Sequence, residues 1–130
     1  MINIQKIDHI GIRIHDRDRS VAFYQTLGFA LIRDLGYDEG HPIMMRHLSG
    51  VVLNLLGPST VEIDENVLMD IEEKHAGYTH IALRVDSIDH AEGIFQQHHY
   101  PITGRIQFEK MRAIFIRDPD KNVIEFNEYA

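Results

Sequence analysis

The sequence predicts an α+β fold made of two βαβββ units that form a curved mixed sheet with one concave face. Three observations carry this. Ile7-Asp8-His9-Ile10-Gly11-Ile12-Arg13-Ile14 is nearly repeated as Tyr78-Thr79-His80-Ile81-Ala82-Leu83-Arg84-Val85, 71 residues later. The same 71-residue offset carries Leu53-Asn54-Leu55 onto Ile124-Glu125-Phe126. Each copy of the histidine motif is then followed by a helical pattern and by further short strands. A fixed internal offset means that one supersecondary unit is used twice.

The first unit spans residues 5–57. Residues 7–14 alternate, with Ile10, Ile12 and Ile14 on one face and His9, Gly11 and Arg13 on the other. Asp16 is placed to cap a helix carrying Val21, Phe23, Tyr24 and Leu27, and Gly28 to end it. Residues 29–34 read as a second strand and 36–42 as a turn-rich loop. Residues 43–48 and 51–56 read as a hairpin closed at Ser49-Gly50. A linker, 58–76, follows; its acidic part carries Val67, Leu68 and Ile71, the spacing of one short amphipathic helix.

The second unit, 77–129, repeats the order. Residues 78–85 form its first strand, Ser87 is the cap, and Ile88, Ala91, Ile94 and Phe95 make a core-facing helical stripe. Residues 101–106 begin the return as an edge strand, where Pro101 is tolerated. Strands at 111–117 and 122–128 turn around Asp118-Pro119-Asp120-Lys121-Asn122.

Bulk properties narrow the partners. The chain of 130 residues carries 13 Lys plus Arg against 20 Asp plus Glu, a net charge of −7. That balance, without a basic cluster, argues against nucleic acid and anionic membranes. With no cysteine, thiolate chemistry and disulfides are excluded. The absence of a signal-peptide pattern and of a long apolar run leads to the expectation of a cytoplasmic protein.

The paired histidine strands, Phe23-Tyr24 followed by Leu27-Gly28-Phe29, and Asp118-Pro119-Asp120 before Glu125 resemble the vicinal oxygen chelate superfamily. Its members include glyoxalase I, extradiol dioxygenases, fosfomycin-modifying thiol transferases, methylmalonyl-CoA epimerase and bleomycin-sequestering proteins. The resemblance implies a divalent metal (Fe, Mn, Ni, Co or Zn) on His9, His80 and Glu125, with Asn54 at a fourth ligand position. It also implies a small-molecule substrate with two chelating oxygens, and a homodimer. Two imidazoles and one carboxylate leave open coordination positions, as such chelation requires. Glyoxalase-type members carry a carboxylate where Asn54 stands, and an amide takes up no proton usefully. Glu125 is therefore the expected catalytic carboxylate.

Met45, Val52, Met111, Ala113 and Phe115 are expected to line the cup, a lining suited to a hydrophobic or aromatic substrate. His47 shares the parity of Met45 and is either an acid/base pointing into the cup or a strand-end surface histidine. Arg13 and Arg84 are expected in structural ion pairs. The alternative reading is a metal-free protein that sequesters a small molecule, as bleomycin-resistance members do.

Overall fold

The computed structural model describes residues 1–62 and 64–130; Ile63, within the expected linker, lies outside the described residues. The chain divides into two compact units, Met1–Glu62 and Ile63–Ala130, each with its own mixed four-stranded sheet.

In the first unit the order is β1 (Ile10–Arg13), α1 (Arg17–Thr26), β2 (Phe29–Asp34), a 3-10 turn at Tyr37–Glu39, β3 (Ile43–His47) and β4 (Val52–Leu56). The sheet order is β1-β4-β3-β2, with β1 parallel to β4 and the rest antiparallel. Asp16 caps α1 by accepting from the Arg19 N–H, which supplies one of the helix's orphan donors with a partner. Gly28 follows the helix at φ 99°, a left-handed conformation open to glycine at little cost. Ile14, Phe23, Tyr24, Phe29, Ile43, Met45, Leu53 and Leu55 are buried as the unit's core.

The second unit repeats this with β5 (His80–Arg84), α2 (Ile88–Gln97), β6 (Gly104–Phe108), β7 (Met111–Arg117) and β8 (Val123–Tyr129), in the order β5-β8-β7-β6. Ser87 caps α2 through His90 N–H. Phe95 packs on Phe126 with ring centroids 5.0 Å apart, among Ile88, Ile114, Ile116 and Ile124. Burying one such side chain stabilises by roughly 1.5–3 kcal/mol. Asp118, buried in the β7–β8 turn, has Oδ1 accepting from the N–H of Asp120 and Asn122 and Oδ2 from Asn122 Nδ2. Lys121 takes the left-handed position of that turn at φ 68°.

Two expectations differ from the structure. The histidine strands are shorter than their alternation: the β1–β4 ladder begins at Ile10↔Leu53, so His9 lies just ahead of β1 and is exposed, while the β5–β8 ladder begins at His80↔Val123, leaving Ile7 and Tyr78 exposed. The helix expected at Val67–Ile71 is a turn. Asn66 Oδ1 accepts from the N–H groups of Leu68 and Met69, and Asp70 Oδ2 accepts from Asn66 N–H. Side chains that hold backbone donors in this way compete with helix formation. This stretch docks on its own unit: Arg117 makes a two-pronged ion pair with Asp70 at 2.8 and 2.9 Å, and Asn66 Nδ2 donates to the Lys121 carbonyl. No helix among the described residues is long and apolar enough to cross a membrane.

Candidate metal centre

Residues directly opposite in a sheet ladder share a face. In the second unit α2 covers the face of Ile114, Ile116, Ile124 and Phe126, so Glu125 points the other way. The pairings Phe115↔Glu125, Ala113↔Asn127 and Met111↔Tyr129 put β7 on that open face, and Ala82↔Glu125 puts His80, Ala82 and Arg84 there too. Met111, Ala113, Phe115, His80 and Glu125 therefore share one face as expected.

The geometry around Glu125 is specific. His80 Nε2 lies 3.8 Å from Glu125 Oε1, with the side chains 35% and 13% exposed. That separation is below the roughly 4.2 Å spanned end to end by two metal–ligand bonds of ordinary length. The Thr79 hydroxyl lies 2.9 Å from His80 Nδ1, an arrangement that accommodates the ring proton on Nδ1 and leaves Nε2 as an acceptor. Asn127 Nδ2 donates to Glu125 Oε2 at 2.8 Å, leaving Oε1 toward the histidine. The edge of His80 meets Phe115, with centroids 6.0 Å apart, which restrains the imidazole.

In the first unit the equivalent residues are Asn54 on β4 and His9, exposed just ahead of β1. The pairings Gly11↔Asn54 and Met44↔Asn54 place Asn54 and Val52 on the face that bears Gly11 and Arg13. His9 Nδ1 is 2.7 Å from Asp8 Oδ2, and an ionised carboxylate only accepts, so the shared proton belongs to Nδ1. The same contact, first as a hydrogen bond and then as charge attraction, holds the Asp8 carboxyl below its ordinary range. Asn54 Oδ1 is buried and receives no hydrogen bond. A buried acceptor without a donor is uncommon and calls for an explanation such as an ion that completes it. Imidazole nitrogen and carboxylate oxygen, as in the His80–Glu125 pair, are donors that fit a divalent first-row metal. Among the described residues no group of three or more His, Asp or Glu is gathered as a ready metal cluster; the assembled part is the His80–Glu125 pair.

Three sequence expectations are corrected here. Met45 pairs with Leu53, not Asn54, and is fully buried on the helix-covered side; Met44 takes the place expected for it. His47 goes with Met45: it pairs with Phe29, its ring lies 5.4 Å from that of Phe29, and its Nδ1 accepts from Ser49 N–H. It braces the hairpin turn instead of facing Asn54. Arg84 makes no ion pair among the described residues and stacks on Tyr129, 4.1 Å from the ring centroid. The sequence reading missed Asp8, Thr79 and Asn127. The signal was present, since Asp8 and Thr79 are the residues immediately before the two histidines, 71 apart.

Comparison with known proteins agrees with this architecture. The chain is 24% identical to the glyoxalase domain-containing protein RDO1 of Mycosarcoma maydis, over 98% of this chain and 70% of that protein. It is 27% identical to a lactoylglutathione lyase of Schizosaccharomyces pombe, over 95% of this chain but only 45% of that longer protein. A glyoxalase/dioxygenase from Nostoc punctiforme has the same fold, with a TM-score of 0.79 at 20% identity over 98% of this chain and 93% of its own. With its repeated unit, its paired histidine strands and a match of residues 6–126 to the model of the Glyoxalase/Bleomycin resistance protein/Dioxygenase superfamily, the chain belongs to that superfamily.

Proposed function

We propose that this protein is a metal-dependent enzyme of the superfamily, acting on a small, oxygen-chelating, hydrophobic or aromatic molecule. The observation that carries the reading is the His80–Glu125 pair, with Nε2 and Oε1 3.8 Å apart and each donor's second atom already held by a neighbour. His80 and Glu125 would hold the ion; in the first unit the repeat sets His9 and Asn54 at the equivalent positions. The ion, when bound, supplies Lewis acidity toward the substrate's oxygens. The chain's own residues supply the rest. Phe115, Met111 and Ala113 offer the carbon skeleton an apolar wall beside Glu125. Because residue 54 is an amide, Glu125 is the carboxylate positioned to accept or return a proton. The family's lyase, transferase and dioxygenase chemistries are all compatible with one carboxylate and open ligand positions. The likeness to lactoylglutathione lyase supports the first of these only as a family relation.

The test is elemental analysis of purified protein together with His80→Ala and Glu125→Ala. Near-stoichiometric Fe, Mn, Ni, Co or Zn in the parent, lost in both variants, is the expected result. A parent that neither contains such a metal nor gains thermal stability from added divalent ions would overturn the reading and favour metal-free sequestration of a hydrophobic ligand.

A further inference from the structure

The internal repeat provides its own control for the surroundings of Glu125. The offset that sets Glu125 on Asn54 also sets Asn127 on Leu56. In the second unit the side chain at the first position is a carboxylate, and the amide two residues on donates to its Oε2 at 2.8 Å. In the first unit the side chain is an amide, the residue two on is leucine, and the amide oxygen is buried without a donor. The support thus accompanies the carboxylate and is absent where the carboxylate is.

We propose that Asn127 is a positioning residue that commits Glu125 to donate to the metal through one oxygen. The inference rests on the metal-dependent reading above. A free carboxylate can rotate and offer both oxygens to an ion. Here Oε2 is engaged by an amide that is itself fixed on the same strand and face, and only Oε1 is turned toward His80 Nε2. One-oxygen donation keeps a coordination position open that two-oxygen donation would fill, and that position is what a chelating substrate needs. Asn127 is an amide donor and so holds the carboxylate without adding charge that would compete with a cation.

The experiment loads the parent, Asn127→Ala and Asn127→Leu with Co(II) and records affinity by titration, the visible d–d absorption, and Tm without metal. Asn127→Gln, which retains an amide donor, is the conservative rescue. Loss of the hydrogen bond is expected to weaken Co(II) binding by roughly 10-fold or more. It is also expected to lower the molar d–d absorption as the second oxygen enters and the coordination number rises. Asn127→Gln should recover part of both, and Tm without metal, lowered by a few degrees at most in the alanine and leucine variants, shows that the fold is intact where Co(II) binding is weakened. A parent that binds Co(II), with variants matching its affinity and spectrum, overturns the role of Asn127 and leaves the metal site standing. A parent that binds no Co(II) overturns both. Should the alanine variant fail to fold, the leucine variant, which copies the first unit, carries the same comparison.

Discussion

Asn54 Oδ1 allows a prediction of opposite sign to the usual effect of a mutation. A buried acceptor without a donor has lost its water and gained nothing, at a cost of about 1–3 kcal/mol. Asn54 sits between Gly11 on β1 and Met44 on β3, with Val52 and Leu56 on the same face of its own strand. An apolar side chain there meets apolar neighbours. Asn54→Leu should therefore stabilise the metal-free protein by about 2 kcal/mol. At roughly 4 °C per kcal/mol for a chain of this size, Tm rises by about 8 °C. The assay is differential scanning calorimetry in the presence of a chelator, with Asn54→Ala alongside to separate loss of the orphan oxygen from any overpacking by leucine. Adding Mn(II) should then narrow the gap, because the parent gains a partner for Oδ1 and the leucine variant does not. Unchanged or lowered Tm for both variants in chelator would refute the claim that the oxygen is stranded, and with it the reason for expecting an ion nearby.

Other outcomes follow from contacts already described. The Arg117 guanidinium, and after it the Asn66 N–H, holds the Asp70 carboxyl well below the usual carboxylate range. A lowered folded-state value means that stability is fully present above the unfolded value near pH 4 and is lost as pH falls through the folded one. Asp70→Asn should cost about 1–2 kcal/mol at pH 7, since Arg117 would keep a weakened partner while its Nε is already buried without one. The cost should shrink in urea titrations as pH drops below about 4; a cost independent of pH would show that the pair contributes nothing through its charge. His47→Ala should lower Tm slightly through loss of the Ser49 contact, with metal content unchanged. Loss of metal in that variant would restore His47 to the site.

Much of this fold was legible because the repeat let each half check the other. Asp16, Ser87 and Gly28 announce their caps through local chemistry that tertiary packing does not override, and Ser49-Gly50 announces its hairpin in the same way. Facing was legible where the alternation had one phase. In β8, Ile124 and Phe126 bracket Glu125, and its orientation follows. In β3 it did not: Ile43-Met44-Met45 is apolar in both phases, Arg46 argues for one and His47 for the other, and only the ladder with β4 decides. Among the residues that orient the donors, Asn127 was the hardest to find, because the repeat sets leucine, Leu56, at its equivalent position.

In both units the first strand runs parallel to the last. Ile10 meets Leu53 and His80 meets Val123. The two donors in the second unit thus come from the opposite ends of its chain, and the seam that unites them is the seam that closes the sheet. An ion held by both His80 and Glu125 is then a rivet across that seam. Its binding free energy adds directly to the energy needed to peel β5 from β8. On the proposed reading the grip on the ion and resistance to unzipping become one quantity, so tighter metal binding would also make the second sheet open more rarely.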